Sequence, residues 1–271
     1  MTVKFAKRWL NSIYFFILLG LILGGLTSVI VVPKPIISEI TVSGAILERA
    51  YVDSIIDELQ SAKEDRNVKA VVLKIDSPGG AVSAIEPIYF EILELKRSKP
   101  VVASVGTIAA SGGYYIAVAT NFIYAQPNAT VGSVGVIGTL PGTEKLDENV
   151  ITTGPFKRSG QSRRRAISRI ETIRQQFVEA VTIQRGERLQ IPEDELSQAS
   201  VYSGTEGLRY GLIDDIGMSA QAMQKAAELA HIRSYSVTEC LIQSTEVVDI
   251  EALKSRTNNI PLYYYLYFEL E

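Results

Sequence analysis

The sequence predicts an α/β domain on a mainly parallel sheet, preceded by one N-terminal transmembrane helix. Three observations predict this. Residues 9 to 32 contain no charged side chain. β-Branched runs such as VKAVVLKID and KPVVASV alternate with helical stretches, the pattern of βα units in a largely parallel sheet. Two of these strands lead into glycine-rich turns, SPGG and ASGG, and crevices beyond the carboxyl ends of parallel strands are where such sheets place ligands.

The apolar run WLNSIYFFILLGLILGGLTSVIVV follows Lys4, Lys7 and Arg8. As a helix it rises about 36 Å, enough to cross a hydrocarbon core of about 30 Å with some tilt. A cleaved signal peptide has an apolar part of roughly 7 to 15 residues and ends at a small-x-small site. Here the run is longer and leads into VVPKPII, which has no such site, so a retained single-pass anchor is expected. The early positive charges place residues 1–8 in the cytoplasm and the rest of the chain beyond the cell membrane, on its extracytoplasmic side.

Pro33 and Pro35 punctuate the exit, and a compact domain is expected over 36–250, with a tail over 251–271. ISEITVSG reads as a strand. ILERAYVDSIIDELQSAKED reads as a helix with Ile55, Ile56 and Leu59 on its apolar face. VKAVVLKID is a strand that ends in SPGG, and a helix follows from about Ala81 to Lys96. KPVVASV is a strand ending near Gly106, and the apolar residues after Ser111 predict a helix to about Ala119. NFIYAQP is a short strand, and Ile167, Ile170, Ile173, Phe177 and Val181 mark a packing helix over 166–184.

Composition excludes several classes of function. The 271 residues carry a formal charge of -3, which gives no nucleic-acid footprint. Cys240 and His231 are the only cysteine and histidine, so no disulfide, thiolate cluster or multi-histidine zinc site forms within one chain. No metal and no cofactor is expected; G-x-G-x-x-G and GxxxxGK[ST] phosphate-binding patterns are absent.

Ser111 lies at a strand-to-helix junction, where unpaired N–H groups stabilise negative charge. Gly112 and Gly113 would let a carbonyl approach the backbone closely. An N-cap or a small residue at a tight packing point is the plainer explanation, and Ala109 breaks the G-x-S-x-G elbow pattern. Backbone N–H groups of SPGG, with that of Gly112, would make a two-donor oxyanion site, though SPGG is also an ordinary βα turn. A Ser-His-Asp triad would need His231, in a helix end or loop far along the chain. Lysine is the other group that burial can bring to neutrality near pH 7. Lys157, in ITTGPFKRSG, follows a turn and a phenylalanine able to shield an amine; spacing alone reads it equally as a solvated loop lysine.

These residues carry a resemblance. ASGGYYIA, then ATVGSVGVIG, with VVLKIDSPGG upstream and TTGPFKRSG and YSGTEGLRYGLIDDIG downstream, resemble the signal peptide peptidase A family of membrane-anchored Ser-Lys peptidases, in its short single-domain form. The likeness spans roughly residues 36 to 225 and implies the Clp/crotonase-like fold. It implies that Ser111 is the nucleophile, Lys157 the general base and Ser133 the serine that holds the lysine. It also implies oxyanion donors at Gly112 and at a glycine of SPGG, Gly80 before Gly79. The implied activity is hydrolysis of residual signal peptides or other short hydrophobic peptides, by a homo-oligomeric ring.

One stretch departs from the family pattern: KRSGQSRRRAISR puts Arg158 and Arg163 to Arg165 after the lysine, which bears on substrate preference and fits a solvated helix start equally well. The tail run Leu262 to Phe268 is too short to span a bilayer. An edge strand, a subunit contact and a lipid-interface contact are its open explanations, and nothing in the sequence supports a self-derived peptide in the active-site groove. Two rival functions stand beside the peptidase: a crotonase-like acyl-thioester enzyme that uses the glycine donors for an enolate, and a catalytically silent membrane scaffold.

Overall fold

The computed structural model describes residues 14–23, 33–140, 151, 153–154, 156–157, 159–240 and, as backbone only, 266–268. The chain divides into two units, Met1–Pro35 and Ile36–Glu271. In the first, residues 14–23 form helix α1 with exposed side chains. Among the described residues no helix is long and apolar enough to cross a membrane; residues 9–13 and 24–32 of the expected span lie outside them.

The second unit begins with β1 (Ile36–Ser43), α2 (Arg49–Glu64), β2 (Val68–Ser77), β3 (Gly80–Ala81), α3 (Val82–Lys96), β4 (Val101–Ala110) and α4 (Gly112–Val118). It continues with β5 (Phe122–Ala125), β6 (Thr130–Gly132), β7 (Ile137–Gly138), α5 (Arg163–Arg185), α6 (Glu193–Leu196) and β8 (Val201–Ser203). α7 (Gly204–Arg209), β9 (Asp215–Ile216), α8 (Ser219–Leu229), β10 (Ser236–Cys240) and β11 (Leu266–Phe268) complete it. The main sheet runs β10-β1-β2-β4-β5-β9, with β6 paired to β4 and β8 to β6. Every pairing in it is parallel except β6 with β8. This is the mainly parallel α/β architecture that the sequence predicts.

The pattern of β2 explains why the sheet forms. Side chains alternate across a strand, so Val71, Leu73 and Ile75 enter one core with α2 to α5. Ala70 and Val72 face a second core under Ala222, Met223 and Ala226 of α8. Both faces are covered, and the strand therefore reads as one continuous apolar run. α2 buries Tyr51, Val52, Ile55, Leu59 and Ala62 at helical spacing. The expected packing helix is α5: Ala166, Phe177 and Val181 are buried and Ile173 packs against the core, while Ile167 is exposed.

β4 runs farther than the sequence suggests, through Gly106 to Ala110. It pairs with β5 over residues 102–105 and with β6 over residues 108–110. On its other side the β2 ladder shifts register between Ile75 and Ser77, and the Asp76 carboxylate accepts the Ile108 N–H at 3.2 Å. The two strands therefore reach the end of the sheet with a local kink, and the SPGG turn and Ser111 come together there.

A buried charge cluster fastens the far side. Arg185 makes two 2.9 Å hydrogen bonds to the Asp214 carboxylate and a third bond to the Gly211 carbonyl. Asp214 also accepts from the Ile123 backbone and from Arg188. The side chains of Arg185 and Asp214 are 2% and 5% exposed, against 48% for Arg188. Asp214→Ala leaves a guanidinium buried without its partner and is expected to cost about 3–5 kcal/mol. Arg188→Ala removes a half-exposed pair and is expected to cost at most about 1 kcal/mol. Urea unfolding midpoints of the two variants check the contrast.

Candidate active site

The site is built where β4 ends. Ser111 follows β4 directly and precedes α4, with φ 51° and ψ −120°. That region is strained for any residue with a Cβ and persists only where the surroundings enforce it. They do so here through two backbone bonds: the Ser111 N–H donates to the Gly132 carbonyl at 2.8 Å, and its carbonyl accepts the Tyr115 N–H at 2.9 Å. The sharp elbow expected of a G-x-S-x-G nucleophile is thus made without the first glycine.

Every residue of α4 is buried. The Tyr114 hydroxyl donates to the Leu212 carbonyl at 2.7 Å. Tyr115 stacks on Tyr89 with ring centroids 4.3 Å apart and meets Phe177 edge-on at 4.9 Å. Gly112 sits so close to α3 that a Cβ there would overlap Cδ1 of Ile85. Both the helix and the turn before it are therefore fixed from several sides.

Ser133 comes to the same place from 22 residues away. In the parallel β4–β6 ladder Ala110 is level with Gly132, so the residues that follow, Ser111 and Ser133, leave the sheet side by side. Ser133 also has a positive φ, 55°. It is 2% exposed, and its N–H donates to the Ser200 carbonyl at 2.8 Å.

The SPGG turn closes the group. The Ser77 hydroxyl donates to the Gly44 carbonyl at 2.7 Å and accepts the Gly79 N–H at 3.2 Å. Gly79 thus has its N–H engaged within the turn. Gly80 lies against Ile46, with which it forms a β-bridge, and a Cβ on Gly80 would overlap the Ile46 carbonyl oxygen.

The Ser111 side chain is fully buried, and its Oγ has no hydrogen-bond partner. Lys157 is exposed, in a turn where its N–H donates to the Gly154 carbonyl at 3.2 Å. The structure therefore brings together Ser111, Ser133 and the SPGG glycines, and it leaves the lysine amine off the serine. Thr152, Pro155 and Arg158, which flank that turn, lie outside the described residues. His231 is an exposed residue just beyond α8, too peripheral for a triad. Among the described residues no group of acidic, cysteine and histidine side chains is placed to hold a metal.

A narrow apolar cavity, invisible to sequence reasoning, adjoins the start of α4. Val82, Ile85, Tyr115, Ile173 and Phe177 line it, with Glu86 at its edge. Burial pushes the Glu86 carboxyl above the usual carboxylate range. The residues come from three helices; Ile85, packed on Gly112, and Tyr115, whose N–H donates to the Ser111 carbonyl, tie the cavity to Ser111.

The family model of Peptidase family S49 matches residues 94–233, and that of Clp protease matches residues 36–132. The chain belongs to peptidase family S49. The signal peptide peptidase A resemblance read from the motifs is therefore correct. Protease 4 of Salmonella typhi is 33% identical over 198 residues, which cover 68% of this chain and 32% of that protein. The chain thus spans about a third of that relative's length. A putative protease of Synechocystis sp., slr0021, is 32% identical over 207 residues, covering 72% of this chain and 74% of that one. Among solved structures, the 1510-N membrane-bound stomatin-specific protease superposes with a TM-score of 0.53 at 18% identity. It covers 78% of this chain and 100% of its own, a likeness of fold.

The strain at position 111 makes a test. Ser111→Gly relieves the positive φ and is expected to raise stability by about 1 kcal/mol, read as a higher denaturation midpoint.

Proposed function

We propose that this S49 chain is a serine endopeptidase that cuts peptide bonds through Ser111 and Lys157. The observation that supports this most is the state of Ser111: a buried Oγ with no hydrogen-bond partner, on a backbone held at φ 51°. A serine kept for capping or packing would have its oxygen bonded, as buried polar groups are. This one is strained and unsatisfied together, which suits a nucleophile waiting for a substrate and speaks against a silent scaffold.

In the proposed reaction the neutral Lys157 amine takes the Ser111 proton as Oγ attacks the peptide carbonyl. The developing oxyanion accepts from the backbone N–H groups of Gly112 and Gly80, Gly79 having its own N–H turned to Ser77. Lys157 then gives the proton to the departing amine. Water, deprotonated by the same lysine, hydrolyses the acyl-enzyme and restores Ser111. Ser133, beside Ser111, holds the amine in line.

The amine must first reach the serine. Either the turn around Lys157 closes onto Ser111, or a neighbouring copy in a ring supplies its own lysine. Ser111→Ala and Lys157→Ala are each expected to lower peptide turnover by roughly 10^4-fold. Mixing the two variants distinguishes the routes. If the lysine comes from a neighbour, reassembled mixtures recover roughly a quarter of the activity through correctly paired interfaces; if it comes from the same chain, they recover none. Normal turnover by Lys157→Ala would show the base to be another residue.

We place the domain outside the cytoplasmic membrane, anchored by the uncharged run at 9–32 with residues 1–8 inside. The run's length and the flanking Lys4, Lys7 and Arg8 support this. Residual signal peptides and other short hydrophobic peptides are the proposed substrates.

A further inference from the structure

The first turn of α5 is charged against its own helix. Arg163, Arg164 and Arg165 occupy it with no acidic residue, although the unpaired N–H groups of a helix start favour negative charge there. The helix is 23 residues long and already capped. The Ser162 hydroxyl accepts the Arg165 N–H at 3.2 Å, and the Ser162 carbonyl accepts the Ala166 N–H at 2.9 Å. The arginines therefore serve no need of the helix, and the chemistry proposed at Ser111 does not use them.

An open polar hollow of about 560 Å³ lies against this start, with Ser159, Gln161, Arg165, Ser168, Arg169 and Thr172 among its lining residues. Arg165 and Arg169 are four residues apart, so their guanidinium groups share one helix face, where like charges are destabilising. None of the described residues lining the hollow is acidic. The first acid of α5, Glu171, binds Arg174 and Gln175 instead.

Gln161 gives the second, independent sign. It is only 9% exposed, and its Nε2 is buried without a hydrogen-bond partner. Buried donors are otherwise paired, because an unmet one has lost its water for nothing. A capped helix start, a pair of arginines and an orphan amide donor thus border one hollow, and all three are complemented by an oxyanion.

We propose that the hollow at the start of α5 binds a phosphate group, held by the Arg165 and Arg169 guanidinium groups and by Gln161 Nε2. Guanidinium forks match phosphate oxygens in geometry and charge. A phosphate monoester has three acceptor oxygens, one for each of these side chains, where a carboxylate has two. Free phosphate and a phospholipid headgroup offer the same chemistry, and the test separates them.

The full chain, in a neutral detergent and phosphate-free buffer of low ionic strength, is titrated calorimetrically with two probes. One is inorganic phosphate; the other is glycerophosphoglycerol, the water-soluble headgroup of phosphatidylglycerol. Saturable binding of at least one is expected. Tighter binding of phosphate assigns the site to the free ion, tighter binding of the headgroup assigns it to a lipid, and equal affinities mean that the site reads the phosphate alone. Arg165→Gln and Arg169→Gln are each expected to raise Kd about tenfold. Gln161→Met, which changes no charge, is expected to raise it about fivefold. Arg97→Gln removes a charge whose side chain is 79% exposed at the end of α3, and Kd is expected to stay within about twofold. Circular dichroism matching the unaltered chain is required of each variant, and substitutions at three positions keep one misfolded chain from deciding the result. The proposal is overturned if neither probe binds saturably, if Arg97→Gln weakens binding as much as Arg165→Gln, or if Gln161→Met binds as tightly as the unaltered chain.

Discussion

Because Ala110 is level with Gly132 in the β4–β6 ladder, the chain leaves both strands at one height, and two serines emerge together. The bond from the Ser111 N–H to the Gly132 carbonyl then fixes the first of them in a backbone conformation it would not choose alone. The ladder depends in turn on β4 exchanging β5 for β6 as its partner, and on the register shift that bends β2 beside it. A one-residue slip in any of these would turn Ser111 to the other face of the sheet.

Rigidity is unevenly distributed around this point. On the chemical side α4 is wholly buried, tied through Tyr114 to the Leu212 carbonyl and braced at Tyr115 by two rings, Tyr89 stacked and Phe177 edge-on. The Arg185–Asp214 pair fixes the end of α5 and the start of β5 behind it. By contrast, β3 and β7 are strands of two residues each, and the proposed base sits in an exposed turn. Under the proposed function, this arrangement gives a stiff Ser111 with compliant surroundings, suited to assembling the full site only when a substrate is present.

Much of this was legible in the sequence. The β-branched run VKAVVLKID, the helix periodicity of 49–64 and the strand-turn-helix order around SPGG and ASGG are local signals, and each of these elements forms where its pattern predicts. The pairing of Ser111 with Ser133 came only through family resemblance, since the register of two strands 20 residues apart leaves no mark in either. β4 was read too short because Gly106 looks like a stop, whereas the Asp76 carboxylate carries the strand past it. The small sheet in which β11 joins β3 to β7 was illegible: strands of two residues have no period to detect, and their partner lies more than a hundred residues further along. Lys157 could be named from GPFK but not placed, because position in a loop depends on contacts that spacing does not encode.

The brevity of β3 and β7 has a further consequence. A pair of edges this short would touch about three residues of an extended chain, through main-chain groups that every amino acid except proline shares. It has little means of telling one sequence from another. What it does discriminate is conformation, because a residue already in a helix or a sheet interior has its N–H and C=O committed elsewhere. A segment that is still folded would be refused by such edges, whatever its sequence.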